Sequence, residues 1–193
     1  MAPTTVLALN LHAGFACRHS GACCTAGWPI PVEEGVAAAI RAAVPGAGAA
    51  LVTAGRLPEG SAAVIAPLAS GACPFHLSDG GRLCDIQRRL GHDALPESCR
   101  EFPRIALAEA DATRVTLSHF CPTAASTLFR EGPERVAVVS GAAGIADGRA
   151  YDGFDARQTI PPLLRPGVVM DGPSCRLWEA YLLDRLGKPD TLE

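Results

Sequence analysis

Eight cysteines, at positions 17, 23, 24, 73, 84, 99, 121 and 175, constrain this 193-residue chain more than any other feature. Seven fall in the first 121 residues, and Cys17 opens the run Cys-Arg-His-Ser-Gly-Ala-Cys-Cys, in which Gly21 permits a sharp turn before the vicinal pair Cys23-Cys24. What eight thiols mean depends on the compartment. Residues 1–16 carry no Lys or Arg, and Asn10 and His12 interrupt their apolar run, so they lack the positive start and continuous apolar stretch of a secretory signal. No apolar run approaches the roughly 20 residues of a membrane span. The expectation is a cytoplasmic protein with no membrane partner. Thiols stay reduced there, and a cysteine pattern then points to metal or catalysis more than to disulfides.

Converging thiolates are soft donors that select zinc, copper(I) or iron–sulfur clusters over hard cations. The candidate metal ligands are Cys17, Cys23, Cys24, Cys73, Cys84, Cys99 and Cys121, and the cofactor expected is an iron–sulfur cluster (4Fe-4S) or zinc. Dispersed ligands that include a vicinal pair favour the cluster over zinc. No Cys-x-x-Cys occurs, which argues against a zinc ribbon or a thioredoxin-type dithiol. Cys121, just before Pro122, reads as the N-cap of a helix, where partial positive charge favours thiolate. Arg18, Arg82, Arg100 and Arg104 lie close in sequence to the candidate ligands and would offset the negative charge of a thiolate site.

The histidines are weaker candidates. His12 and His92 read as surface or loop residues, and His76 as a packing residue. His119 shares strand parity with Cys121 and is the best non-cysteine ligand on that argument. Cys175, at the start of an amphipathic helix, reads as a buried small residue. A net charge of −3 supplies no basic face, so nucleic acid is excluded as a partner. Metal or a metallocluster is the expected partner, alongside a protein substrate or partner.

Pattern predicts a helix over Val32–Val44, with Val36, Ile40 and Val44 on one face and Pro45-Gly46 ending it. Residues 45–70 read as a loop with one short helix. A short helix follows over Asp85–Leu90, with Gly91 at its C-cap. Alternation over Arg104–Cys121 around a turn at Glu109–Ala112 signals a hairpin. A last helix spans Ser174–Leu186, with Leu177, Trp178, Tyr181 and Leu182 as its buried stripe. The fold class is α+β, mostly helical with a β-hairpin, built around a cysteine metal cluster. Residues 1–130 form the cysteine-cluster domain, and residues 131–193 a strand and helix extension packed on it.

Taken together, Phe15-Ala16-Cys17, Cys23-Cys24-Thr25-Ala26-Gly27-Trp28-Pro29-Ile30, Cys73-Pro74-Phe75, Cys84-Asp85-Ile86-Gln87, Cys99-Arg100-Glu101-Phe102-Pro103-Arg104 and Leu117-Ser118-His119-Phe120-Cys121-Pro122 resemble the YkgJ/FliB cysteine-cluster family. That family is described as a zinc- or iron-chelating domain and includes the flagellin lysine-N-methylases. The resemblance covers roughly residues 15–130, and Ile86-Gln87-Arg88-Arg89-Leu90-Gly91 looks most like the methylase branch. It implies a metal-binding protein whose role is structural, redox or metal handling. Ser20 stands where many members carry a further cysteine, which leaves His19, His119 or Cys175 as replacement ligands.

Two further readings differ in class. The first is a protein lysine N-methyltransferase-like enzyme using S-adenosylmethionine. Its only local support is the strand Val136–Val139 followed by Gly141 and Gly144, and a nucleotide loop requires such a strand inside a βαβ unit. The second is a redox module whose vicinal thiols cycle through a disulfide.

Overall fold

The computed structural model describes residues 5–53, 55–77, 84–129, 135–140, 153–158 and 165–186. The described chain divides into two compact units that interleave in sequence. One contains the N-terminal stretch to Ala16, residues 104–119 and the described residues from Thr123 onward; the other contains Cys17–Pro103 and Phe120–Pro122. The boundary expected at residue 130 lies outside the described residues.

The first unit is built on a five-stranded mixed sheet. Its strand order is Val138–Ser140, Val6–Leu9, Thr113–Leu117, Arg104–Ala108, Gly153–Asp155. The predicted hairpin is present. Arg104 pairs with Leu117 and Ala108 with Thr113, and the amide of Glu109 donates to the carbonyl of Ala112 (2.8 Å) across the turn. Side chains alternate between faces along a strand. Accordingly Ala106, Val115 and Leu117 are buried while Ile105 and Thr116 are exposed. Val6–Leu9 adds a parallel neighbour to Thr113–Leu117, and Val138–Ser140 pairs antiparallel on the outer side of Val6–Leu9.

That placement bears on the nucleotide-loop reading. The strand sits antiparallel at a sheet edge, whereas a phosphate loop follows a parallel strand of a βαβ unit. Gly141 and Gly144 lie outside the described residues.

The C-terminal helix runs over Gly172–Leu186, close to its predicted span. Its expected buried stripe is corrected: Leu177 is 73% exposed and Tyr181 53%, while Trp178 and Leu182 are also on the surface. Trp178 and Tyr181 stack on each other (5.4 Å between centroids). The helix is tied to the hairpin by charge instead. Glu109 accepts from Arg114 (2.5 Å) and Arg176 (2.8 Å), and Arg114 also donates to Glu179 (2.9 Å). An amphipathic pattern identifies a helix but does not specify which surface covers it.

The second unit has its own core. Ala63–Ile65 is the centre of a three-stranded antiparallel sheet, flanked by Ile30–Val32 and Leu51–Val52. Both flanking and central strands were absent from the sequence reading. Two- and three-residue strands in an Ala-, Gly- and Pro-rich stretch carry too few alternations to register. The predicted helix is Glu34–Ala43; Val32, assigned to it from sequence, is the end of a strand. Ala37 and Ile40 from this helix are fully buried beside Val32, Ala63, Ile65, Phe75, Ile86 and Leu95. Cys73, Cys84 and Cys99 pack against the same cluster. The fold is therefore α+β, with two sheets where one hairpin was expected.

Candidate functional site: a convergence of thiols

Backbone chemistry brings the second unit's cysteines together. Cys23 and Cys24 occupy a single 3₁₀ turn, Ala22–Thr25, entered through Gly21 in the left-handed region (φ 74°). Residues with a Cβ rarely adopt that conformation. The carbonyl of Cys24 accepts from the amide of Cys73 (2.7 Å), which sets residues 24 and 73 side by side. Gly27 and Gly71, both at positive φ, pass close there: a Cβ on Gly27 would meet the Gly71 carbonyl oxygen at 3.9 Å. Next, the amide of Asp85 donates to the carbonyl of Phe75 (2.8 Å), and His76 forms an isolated antiparallel bridge with Cys84. Cys84 immediately precedes the helix Asp85–Leu90, and Cys99 lies in the single-turn helix Glu97–Glu101.

The electrostatics report the same convergence. Cys99 is pushed up to about 12 by burial first, then by the fields of Cys84, Cys73, Cys23 and Glu33. Burial also raises the Cys73 thiol, with Cys84 and Cys23 adding to it. Cys84 is raised by burial, against the amides of Gln87 and Ile86, which draw it down although no complete cap hydrogen bond forms. In the vicinal pair the sulfurs are 3.9 Å apart. Cys23 is lowered to about 6 by the Cys24 thiol, and Cys24 is correspondingly raised. The pair thus holds one proton more readily than two or none. Cys23, Cys73 and Cys84 thus lie in one another's fields and act on both Cys24 and Cys99, and every described cysteine is a free thiol.

The remaining candidates are placed differently. Cys17 is exposed, and its sulfur accepts from the amide of His19 (3.4 Å), with His19 Nδ1 4.0 Å away. Cys121 is buried in the second unit, just before the single α-helical turn Pro122–Ala125. Cys175 belongs to the first unit and is half-buried, not fully buried as expected. Ser20 accepts from the amide of Ala22 (3.4 Å) and so helps cap the turn that carries the vicinal pair.

The argument for His119 fails. Its strand ends at Leu117, so strand parity does not reach Cys121, and His119 belongs to the first unit while Cys121 belongs to the second. His119 meets His12 edge-on instead (5.9 Å between ring centroids). His12, expected at the surface, is 2% exposed. Its pKa is lowered, by burial first and by His119 second. Among the arginines, Arg104 lies over the Phe15 ring in the first unit. Arg100 donates to the carbonyl of Asp93 (3.2 Å). Arg18 is exposed, and Arg82 lies outside the described residues.

Sequence reasoning missed Glu33. One carboxylate oxygen accepts from the Glu97 amide (3.2 Å), ordering the helix that carries Cys99, while the other is buried with no partner among the described residues. An acidic residue in the first turn of a predicted helix was its only signal, and that pattern is common. The buried Nε of Arg100 and Nε2 of His76 also lack partners among the described residues. Among those residues no group of three or more His, Cys, Asp or Glu side chains is placed to hold a metal ion. The expected cysteine metal cluster is therefore not shown among the described residues.

Comparison with known proteins gives a partial likeness. The chain is 36% identical over 72 residues to the flagellar biosynthetic protein FliU of Salmonella muenchen, covering 37% of this chain and 41% of that protein. It is also 36% identical over 72 residues to a lysine-N-methylase of Salmonella typhimurium, covering 37% of this chain and 17% of the enzyme. The chain thus matches less than half the length of either relative. No protein-family profile matches it, and no solved structure does. The likeness supports a relation to lysine-N-methylase-type proteins and does not extend to the wider cysteine-cluster family. Among the described residues no helix is long and apolar enough to cross a membrane.

Proposed function

We propose that the second unit is a metal-binding module that holds an iron–sulfur cluster (4Fe-4S) or zinc through cysteine thiolates. The observation that carries this reading is the set of free thiols Cys23, Cys24, Cys73, Cys84 and Cys99, of which Cys73, Cys84 and Cys99 pack against one small core and the Cys24 carbonyl accepts from the Cys73 amide. The donor set fits the group: sulfur is the preferred ligand of both candidates. Cys17 and Cys121 complete the ligand pool. Buried neutral thiols are costly to ionise, and a bound cation replaces their protons and offsets that cost. The group would supply electron transfer as a cluster, or a structural anchor as zinc. The chain's own residues orient and shield it: Gly21 shapes the vicinal turn, Glu33 orders the helix bearing Cys99, and burial around Cys99 limits water.

A second reading is favoured by the lysine-N-methylase relative: that this chain takes part in methylating lysines of a protein. Its direct test is methyl transfer from S-adenosylmethionine to a lysine-containing protein. The metal reading is tested by measuring iron, zinc and acid-labile sulfide per chain on anaerobically purified protein, with the visible spectrum. Iron and sulfide near four each, as a 4Fe-4S cluster requires, give the cluster; zinc near one or two without colour gives the structural site. Protein with no metal and all eight thiols free overturns the reading and moves the vicinal-thiol redox module ahead.

A further inference from the structure

We infer that Cys23 and Cys24 form a dithiol–disulfide couple that exchanges with low-molecular-weight disulfides of the glutathione type. The inference goes beyond the metal reading and concerns these thiols when no metal holds them. It stands on the local geometry. Along an extended strand neighbouring side chains point to opposite faces. Here the single 3₁₀ turn Ala22–Thr25 instead brings the sulfurs of adjacent residues to 3.9 Å. A disulfide needs about 2.05 Å between sulfurs, so the turn must tighten for the bond to close. The turn is placed to do so: it buries no residue and is entered through Gly21 at positive φ. The amide of Cys24, which lies within the ring that closes, donates to the Gly21 carbonyl (3.0 Å). The carbonyl of Cys24 lies outside that ring and keeps its bond from the Cys73 amide (2.7 Å). Glycine thus takes up the adjustment while the segment stays anchored.

Exposure divides the roles. Cys23 is exposed and meets a dissolved disulfide, whereas Cys24 is half-buried behind it. Cys23, as thiolate, attacks one sulfur of glutathione disulfide, whose S–S bond breaks and releases one glutathione. The Cys24 sulfur, giving up its proton, then displaces the second glutathione and forms the Cys23–Cys24 bond. The protein dithiol loses two electrons, glutathione disulfide gains them, and the two thiol protons end on the two glutathiones. A strained, exposed disulfide is readily reduced again, so the step reverses. Only a thiolate binds metal, so disulfide and metal exclude each other on these sulfurs.

Peptide mapping of the full chain tests this without an activity assay. Cleavage after Arg18 and Arg41 isolates residues 19–41, which carry Cys23 and Cys24 and no other cysteine. The chain is treated with excess glutathione disulfide, as purified and after chelation, then alkylated and digested, with metal measured on the same sample. After chelation the wild-type peptide is expected to lack two hydrogens and any alkyl group, with two glutathiones released per chain and full reversal by dithiothreitol. Cys24→Ser is expected to stop at a glutathione adduct on Cys23, and Cys23→Ser to lose the exchange. Should either variant fail to fold, the wild-type peptide decides alone. A lasting glutathione adduct in the wild type, a bond from this peptide to another cysteine, or two thiols that alkylate unchanged overturns the inference. Metal found on the purified chain would leave the metal reading standing in each of those cases. The internal disulfide in a chain that carries no metal supports the inference and overturns the metal reading.

Discussion

Raising the pH should destabilise the reduced, metal-free protein, and Cys99 should account for a measurable share of the loss. Its thiol is pushed up to about 12 in the fold, against an ordinary 9.0, mainly because burial penalises the thiolate. The unfolded chain therefore loses this proton first. Stability from the neutral thiol is fully present below pH 9 and drains away as pH rises from 9 towards 12. Three pH units at about 1.36 kcal/mol each make the full effect about 4 kcal/mol, of which about a third is lost by pH 10. Cys73 and Cys84 are displaced in the same direction and steepen the decline. Cys23 is displaced the other way, to about 6, so its contribution changes between pH 6 and 9, below this window. Urea unfolding followed by circular dichroism at half-unit steps from pH 8 to 11 measures the slope. Cys99→Ser should reduce that slope by up to one proton, whatever it does to absolute stability. Equal midpoints at pH 9 and 11, or an unchanged slope in Cys99→Ser, would show that burial does not hold this thiol neutral.

Two further outcomes concern the first unit. Glu109→Ala removes the carboxylate shared by Arg114 and Arg176; Arg114 keeps Glu179 and Arg176 keeps Asp111 at 3.7 Å. The loss should be about 1.5–3 kcal/mol by urea unfolding, the usual range for hydrogen bonds to charged groups, and a loss below 0.5 kcal/mol, the ~0.5 kcal/mol floor for ordinary surface changes, would deny the network its role. His12 has a lowered pKa, so its contribution to stability is present above pH 6.5 and lost as pH falls through its folded value. His12→Leu should therefore flatten the fall in melting temperature between pH 7 and 5, and an unchanged fall would contradict the burial argument.

Much of the local structure was legible in the sequence because its signals are local. Helices over Glu34–Ala43, Asp85–Leu90 and Gly172–Leu186 follow from apolar spacing and from glycine or proline at their ends. The hairpin Arg104–Leu117 follows from alternation around a polar turn. The minimal strands Leu51–Val52 and Ala63–Ile65 were not legible, because they exist by pairing with each other and with Ile30–Val32. The parity argument for His119 failed where the strand stopped, two residues earlier.

The sequence by itself determined that thiols dominate the chemistry here, and it named the cysteines in order. Only the tertiary structure decided which of them share a field. Cys24 meets Cys73 through a backbone hydrogen bond across 49 positions of sequence (2.7 Å), and Cys84 joins them through the bridge to His76. Cys17 and Cys175, identical in chemistry, have other surroundings: Cys17 lies beside His19, and Cys175 belongs to the first unit. Only the structure shows that a buried nitrogen of His76 and a buried oxygen of Glu33 lack partners among the described residues, because that is defined by what surrounds them. Side-chain chemistry is carried by the residue itself, whereas burial, pKa and partnership are properties of the neighbours that folding supplies.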